Sequence, residues 1–467
     1  MARLSKFPPR GSGVIGQEEV PPRVSWASPD SLSEAWNWKP GRVKFGQSGG
    51  RVFGLDDNRH IIVVAGSRAG KTRKMLVPNI VSYPGPCVII DPKGELVALT
   101  KRARESVGKV HVLDPFGITG QQSSNYNPFK ELAGSNPENQ SANASQIADA
   151  LIVEPEGARD SHWTDSAKNL IKGLILYLLD KYGSEATLVD LRRLLTEHAI
   201  QLHRIFKDMS ESDAYDGAMA NIGAAFFAMV EYKDGAPVGF TNEMRSIIST
   251  AYQQTGPLDD VTKVMQGSDF SLTDIGPQNL TIYLVLPASR ISTHYRWLRL
   301  FLMQAMAAME STPIPRGKLP AWFVLEEFAA LGHVQTIETA SGYMAGFGVR
   351  LWIILQDLTQ LQRHYKQSWE TFLGNAGVVL AFGNIDATTT EYLSKLIGVT
   401  EYEHADIRPV NSFTTRRVDQ PMVKKVGPLI EPHEVRHFFG IDTGRVLVLA
   451  GEHSPLALMR FDDPGGK

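Results

Sequence analysis

The chain has 467 residues, a length typical of two or three domains, and its 43% apolar and 21% charged content is that of a globular protein with a sizeable core. The net charge of −2 excludes a uniformly basic surface, so any contact with nucleic acid has to come from a local patch or from a pore built by several copies. The single cysteine, Cys87, excludes a disulfide or a cysteine-based metal site within one chain. The sequence contains neither an apolar leader nor a run of about 18 apolar residues, so we expect a soluble protein of a reducing cytoplasm.

Residues 1–40 are rich in Pro, Gly and Ser and show no sustained hydrophobic period, which predicts a loosely ordered arm. Trp26, Trp36 and Trp38 are its candidate docking points. Residues 42–54 then have the pattern of a short hairpin that leads into the first buried strand.

That first strand, 61–64, runs into a turn of small residues that ends in Gly70, Lys71 and Thr72, and we expect a helix to begin at Lys71. The turn is a variant of the phosphate-binding loop G-x-x-x-x-G-K-[ST], with Ala65 in place of the first glycine; alanine fits there if its φ is negative. In such a loop the backbone N–H groups hold the phosphates of ATP, the lysine reaches the β and γ oxygens, and the hydroxyl ligates Mg²⁺. The residues predicted to bind the nucleotide are Gly66, Ser67, Arg68, Ala69, Gly70, Lys71 and Thr72. The alternative is a chance strand–turn–helix with a surface lysine.

The next segments repeat the pattern of a buried strand followed by a helix. An apolar run at 87–90 ends in Asp91, a helix is predicted over 95–107, and a third strand covers 110–113. This spacing predicts a doubly wound α/β sheet with ligands at the carboxyl ends of its strands.

Helical periodicity replaces this pattern between residues 145 and 265, where no strand is predicted. The predicted helical stretches are 146–177, 188–195, 201–205, 216–230 and 240–252. We therefore predict a P-loop α/β domain, with a mostly parallel sheet flanked by helices and an inserted all-α domain. The predicted parts are the arm (1–40), the nucleotide-binding domain (41–144 and 266–467) and the all-α insertion (145–265).

Later strands are predicted at 280–286, 321–325, 351–355, 378–382, 445–450 and 456–461. Glu326 and Glu327 follow the second of these, and neighbouring residues on a strand face opposite ways. We predict that Glu326, where Asp is usual, holds Mg²⁺ and that Glu327 orients the attacking water. Gln356 ends the next strand and is predicted to sense the γ-phosphate. The alternatives are an acidic strand end that faces solvent and an ordinary polar strand terminus.

Together these motifs resemble the type IV secretion coupling proteins, the conjugative ATPases of the TraG/TraD kind, which are related to hexameric motors such as FtsK and HerA. The resemblance implies a P-loop fold of the RecA, FtsK and HerA kind. The chain lacks the transmembrane helices with which that family usually begins, so either it is a truncated or soluble variant or a separate membrane partner recruits it. The segments that carry the resemblance are Arg59-His60, 65–72, 89–95, 113–116, Asn127-Pro128, 283–287, 325–332, 355–358 and 428–435.

The resemblance implies an ATPase that converts ATP and water to ADP and phosphate. It implies a homo-hexamer, or a monomer in isolation. The implied substrate is DNA, preferably single-stranded and with or without attached protein, which is passed to a secretion channel. The implied partners are relaxosome or effector proteins, recognised by the insertion, and the inner-membrane components of the secretion system. It further implies that Arg59, and as a second candidate Arg350, acts in the neighbouring subunit's site. For both arginines the alternative is an ordinary surface ion pair.

The implied location is cytoplasmic and peripheral at the inner membrane. The basic clusters at 101–104, 290–299, 416–417 and 424–425 are candidate DNA contacts or simply solvated faces. Two other functions stay open, a duplex-DNA motor of the same fold outside secretion and a non-hydrolysing substrate receptor.

Overall fold

The computed structural model describes residues 24–154, 161–405 and 422–463. Within these residues, eleven strands form one sheet and two further pairs form separate hairpins. The strands are β1 (Gly46–Ser48), β2 (Arg51–Phe53), β3 (His60–Ala65), β4 (Cys87–Asp91), β5 (Val110–Leu113), β6 (Val230–Lys233), β7 (Ala236–Phe240), β8 (Thr281–Val285), β9 (Ala321–Leu325), β10 (Val349–Leu355), β11 (Ala376–Phe382), β12 (Val399–Ala405), β13 (Met422–Pro428), β14 (Arg445–Ala450) and β15 (Leu456–Met459).

The large sheet has the order β2-β1-β15-β14-β11-β3-β10-β9-β4-β8-β5. The seven described strands from β11 to β5 are parallel, and the four on the other side of β11 add to them antiparallel. The central strands β3, β10 and β11 are buried along their whole length, as their continuous apolar sequences require. This sheet confirms the predicted α/β fold and brings the carboxyl ends of β3, β9 and β10 to one edge.

Helices cover both faces of the sheet, and α1 continues a π-helical turn at Thr72–Leu76. The helices are α1 (Val77–Ser82), α2 (Glu95–Glu105), α3 (Pro128–Gly134), α4 (Pro137–Leu151), α5 (His162–Tyr182), α6 (Leu188–Leu194), α7 (Ala199–Ser210), α8 (Ala218–Phe227), α9 (Asn242–Thr255), α10 (Ala288–Ser311), α11 (Gln335–Tyr343), α12 (Thr359–Tyr365), α13 (Trp369–Gly374), α14 (Ala387–Ile397) and α15 (Pro432–Phe438).

The insertion between β5 and β8 is built mainly from helices α3 to α9 and departs from the predicted pattern at two places. The prediction that it contains no strand is wrong, because β6 and β7 pair across Asp234 and Gly235, which both take the positive φ of a type I′ turn. The continuous helix predicted over 146–177 is also wrong, since α4 ends before the extended Ile152 and α5 begins at His162. The helices start at Pro128, ahead of the predicted boundary, and the division into domains stays a prediction.

The described part of the N-terminal arm, residues 24–40, is packed on the sheet rather than loosely ordered. Trp36 is only 5% exposed and its ring lies 5.0 Å from that of His453. The Trp26 ring lies 5.9 Å from that of Phe439. These tryptophans are therefore docking points, while residues 1–23 of the predicted arm lie outside the described residues.

His60 begins β3 in the core of the sheet, where its Nδ1 accepts a hydrogen bond from the Leu351 N–H at 3.0 Å. Burial lowers the pKa of this imidazole to about 4. An unfolded chain takes up this proton first, near a pH of about 6.5, so the stability that the neutral ring contributes is lost as the pH falls from about 6.5 to about 4.

The free energy of unfolding should fall in the wild type when the pH is lowered from about 7.5 to about 4.5. In His60→Gln, whose side chain cannot titrate, we expect this fall to be smaller by about 2–3 kcal/mol. Urea unfolding of both proteins at the two pH values measures this difference. Equal losses in wild type and variant would contradict the assignment.

Candidate nucleotide-binding site

The predicted phosphate-binding loop connects β3 to the π-helical turn at Thr72–Leu76. Arg68 and Gly70 both have positive φ, at 59° and 86°, and such alternation turns successive backbone N–H groups toward one concave face. Ala65 is the last residue of β3, pairs with Phe382 and has no positive φ. The substitution at the first position of the motif is therefore accommodated by ordinary strand geometry.

Gly66 is required by the close approach of the loop that follows β11. An ideal Cβ on Gly66 would lie 2.0 Å from the carbonyl oxygen of Gly383. The Gly66 N–H also donates to the Phe382 carbonyl at 3.2 Å. The end of β11 thus fixes the position of the phosphate-binding loop.

Thr72 and Glu326 form the pair predicted to hold Mg²⁺. The Thr72 hydroxyl donates to Glu326 Oε1 at 2.9 Å, and burial raises the pKa of the Glu326 carboxyl to about 7. A buried carboxylate of this kind is stabilised in its charged form by a cation. Among the described residues no group of three or more His, Cys, Asp or Glu side chains is placed to bind a metal, so a cation here would complete its shell with phosphate and water, as Mg²⁺ commonly does.

Lys71, Glu327 and Gln356 meet at the carboxyl edge of β3, β9 and β10. The Lys71 Nζ lies 3.4 Å from Glu327 Oε1, and the Gln356 Nε2 donates to Glu327 Oε2 at 3.2 Å. The three side chains are partly exposed, with Lys71 at 13% and Glu327 at 28%. The structure therefore brings together the residues that the sequence assigned to one site.

Glu326 and Glu327 have different environments, but not for the reason that the sequence analysis gave. β9 ends at Leu325, so Glu326 and Glu327 both lie in the turn beyond it, and Glu327 has a φ of 61° in the left-handed region. Strand alternation is the wrong explanation. The left-handed turn separates the buried Glu326 from the more exposed Glu327, and such a conformation is uncommon for a non-glycine residue and typical of functional sites.

The two arginines predicted to act in a neighbouring subunit have different environments. Arg59 precedes β3, at the opposite end of that strand from Lys71, and its exposed guanidinium pairs with Asp57 at 2.7 Å. Arg350 is buried in β10, where its Nε donates to the Arg59 carbonyl at 2.7 Å and burial lowers its pKa to about 10. Arg350 therefore supports the Arg59 backbone from within the sheet. This buried position matches neither the predicted action in another subunit nor the alternative of a surface ion pair.

Two contacts from the end of the chain, missed by the sequence analysis, hold the phosphate-binding loop. The buried Arg460 donates hydrogen bonds to the carbonyls of Ala69 and Ile441. Arg73, in the π-helical turn that follows the loop, lies 3.3 Å from Asp463. No local pattern marks these residues, because their role depends on β15 ending beside the loop.

The basic clusters proposed as DNA contacts are partly structural. Arg104 is fully buried and donates to the Tyr83 and Gly85 carbonyls, and Arg299 is buried as well. Lys424 pairs with Glu401 at 3.3 Å. The cluster 416–417 lies outside the described residues, so the DNA contacts stay a prediction.

A scan of protein families matches the model described as "Type IV secretory system Conjugative DNA transfer" to residues 25–460. The chain is similar to the protein VirD4 of Agrobacterium fabrum, with 26% identity over 89% of this chain and 61% of that protein. It is also similar to a conjugal transfer protein TraG of Escherichia coli, with 28% identity over 80% of this chain and 61% of that protein. The chain thus spans about 60% of the length of these relatives.

The fold is shared with the bacterial conjugative coupling protein TrwB, with a TM-score of 0.67 and 15% identity over 95% of both chains. A complex of TrwB with ADP and Mg²⁺ gives a TM-score of 0.64, also at 15% identity, over 94% of this chain and 95% of that chain. No helix among the described residues is both long enough and apolar enough to span a membrane. Because the family model matches nearly the whole chain, the protein belongs to the type IV secretory system conjugative DNA transfer family.

Proposed function

We propose that this chain is an ATP- and Mg²⁺-dependent coupling ATPase that moves DNA, single-stranded in preference, with or without attached protein, to a type IV secretion channel. The observation that carries this proposal is the contact of Glu327 with both Lys71 and Gln356, beside the Thr72–Glu326 pair. A phosphate-binding lysine, a cation-binding pair and a general base within one site are the parts that ATP hydrolysis requires.

Each residue has a role in the in-line attack of water on the γ-phosphate. The loop N–H groups and Lys71 hold the phosphates, and Thr72 and Glu326 bind Mg²⁺, which neutralises charge on the β and γ oxygens when bound. Glu327 accepts the proton of the attacking water. Gln356 orients the Glu327 carboxylate through its amide and responds to the γ-phosphate.

The choice of cofactors is supported by TrwB, which has been solved with the ATP analogue ADPNP and with ADP and Mg²⁺. The assembly that we propose is a homo-hexamer in which Arg59 reaches the site of the next subunit. The support for this role is the exposed position of Arg59, at the far end of β3 from its own Lys71. The nucleotide-binding domain, predicted to comprise residues 41–144 and 266–467, would then form the ring.

The partners that we propose are relaxosome or effector proteins, bound by the insertion 145–265, and inner-membrane components of the secretion system. Such partners would hold the chain at the cytoplasmic face of the inner membrane. The support for this is the family membership of residues 25–460.

The proposal predicts that the purified chain hydrolyses ATP and that single-stranded DNA raises the rate more than duplex DNA of equal length. Phosphate release with each DNA measures this, and mass measurement with ADPNP and single-stranded DNA tests for the hexamer. Stronger stimulation by duplex DNA would favour a duplex motor outside secretion. Nucleotide binding without turnover under any condition would contradict the ATPase and favour a substrate receptor.

A further inference from the structure

Helix α10 presents a buried arginine to the loop that carries Glu327. Arg299 is only 6% exposed, and its guanidinium donates to the carbonyls of Leu331, at 3.2 Å, and of His333. Leu331 ends the turn at Phe328–Leu331, which begins directly after Glu327, and His333 lies two residues beyond it. The position of this turn, and with it the left-handed conformation of Glu327, is therefore tied to Arg299.

Arg299 has no carboxylate within hydrogen-bond or ion-pair distance among the described residues, and its Nε is buried without a partner there. Burying a guanidinium without a carboxylate costs stability, and the loop carbonyls offset only part of that cost. If the side chain at position 299 only filled space, a leucine or methionine would do so without the desolvation cost of a guanidinium. The directional hydrogen bonds to the loop are what a charged side chain adds here.

One turn earlier, the same helix contacts the insertion. Arg296 donates to the Gln254 Oε1 of α9 at 3.2 Å, and the same oxygen accepts the Val153 N–H, beyond the end of α4, at 2.7 Å. His294 adds a second contact, with its Nε2 3.0 Å from Asp260 Oδ2. α10 therefore touches the insertion at one turn and the Glu327 loop at the next.

A cleft of about 1340 Å³ lies between the insertion and the catalytic residues. Its lining includes Gln254, Arg296, Arg299, Glu327 and Gln356. Among the described residues this cleft separates the insertion from the Glu327 loop, and α10 contacts both.

We propose that Arg299 is a positioning residue that holds Glu327 in its catalytic conformation, and that α10 transmits the state of the insertion to Glu327 through Arg296 and Arg299. The proposal rests on the proposed ATPase function. A ligand that shifts Gln254 or Asp260 moves the first turns of α10, and the arginine one turn further along moves the carbonyls that follow Glu327.

The positioning role is tested with Arg299→Met and Arg299→Lys in the full chain. We expect the methionine variant to lower the kcat for ATP by about 100-fold, the cost of a small misplacement of a catalytic group, with the KM for ATP unchanged. Lysine keeps a donor near the carbonyls and should restore part of the rate. A wild-type kcat in the methionine variant overturns the positioning role. The role is also overturned if the methionine variant has a lower kcat, a higher KM for ATP and a lower melting temperature, and if the lysine variant shows the same three changes.

The link to the insertion is tested with Gln254→Ala and, as a matched control, Gln253→Ala, its exposed neighbour on the same helix. We expect Gln254→Ala to keep the basal ATP rate but to lose about fivefold of the stimulation by single-stranded DNA, a typical coupling energy. Gln253→Ala should keep both. Full stimulation of Gln254→Ala overturns the link, whereas a wild type without any ATP turnover overturns the ATPase proposal itself.

Discussion

Replacement of Glu327 by glutamine should abolish ATP turnover and leave ATP binding intact. Glutamine keeps the size of the side chain and can still contact Gln356, but it cannot accept a proton from the attacking water. A general base contributes about 10²–10⁴-fold to the rate of such a step. We expect phosphate release to fall by that factor while a fluorescent ATP analogue still binds, because the phosphate-binding loop and Thr72 are unchanged.

Two variants control this experiment. Glu105→Gln changes an exposed glutamate at the end of α2 and should keep the wild-type rate. Lys71→Ala should instead lose both turnover and tight binding, since it removes the ammonium that we propose binds the phosphates. If Glu327→Gln turned over ATP at the wild-type rate with DNA present, the assignment of Glu327 as the base would be wrong.

The site could be predicted because it lies where parallel strands end. The sequence marks these ends directly, with a continuous apolar run followed by polar residues, as at Lys71, Glu326 and Gln356. Parallel pairing of β3 with β10, and of β10 with β9, then places the three ends side by side. The first step needs only the local sequence, whereas the second depends on which strands pair.

What the sequence could not show depends on contacts between distant segments. Arg350 looks like a polar residue at a strand start, but the pairing of β10 with β3 buries it against the backbone of Arg59. Glu327 takes its left-handed conformation next to a turn that Arg299 contacts from the distant α10. Arg460 reaches the phosphate-binding loop because β15 ends beside that loop. The hairpin in the insertion is different, because Asp234-Gly235 between residues of high β propensity is a turn signal that helical periodicity on either side obscured.

Arg59→Ala should reduce turnover by about 10³-fold, at the lower limit for an arginine that stabilises the transferring phosphoryl group, and leave nucleotide binding unchanged. The reason is distance. β3 spans six residues, so roughly 20 Å of strand separates Arg59 from the loop that holds Lys71 in the same chain. An arginine side chain cannot bridge that length, so a direct contact of the Arg59 guanidinium with the phosphates has to be made in another subunit's site. Arg193→Ala, which removes a similarly exposed arginine of α6, should keep the wild-type rate.

Mixing two inactive variants separates action between subunits from a local defect. Arg59→Ala lacks the arginine but keeps Glu327, and Glu327→Gln lacks the base but keeps Arg59. In a mixed ring some interfaces join an intact Glu327 to an intact Arg59 from the next subunit, so we expect phosphate release to reappear on mixing and to depend on the ratio of the two proteins. Asp57 holds the Arg59 guanidinium through both carboxylate oxygens, with Nε and Nη2 as the donors. If the mixture assembled into rings and stayed inactive, Arg59 would act within its own chain, through the backbone that Arg350 supports.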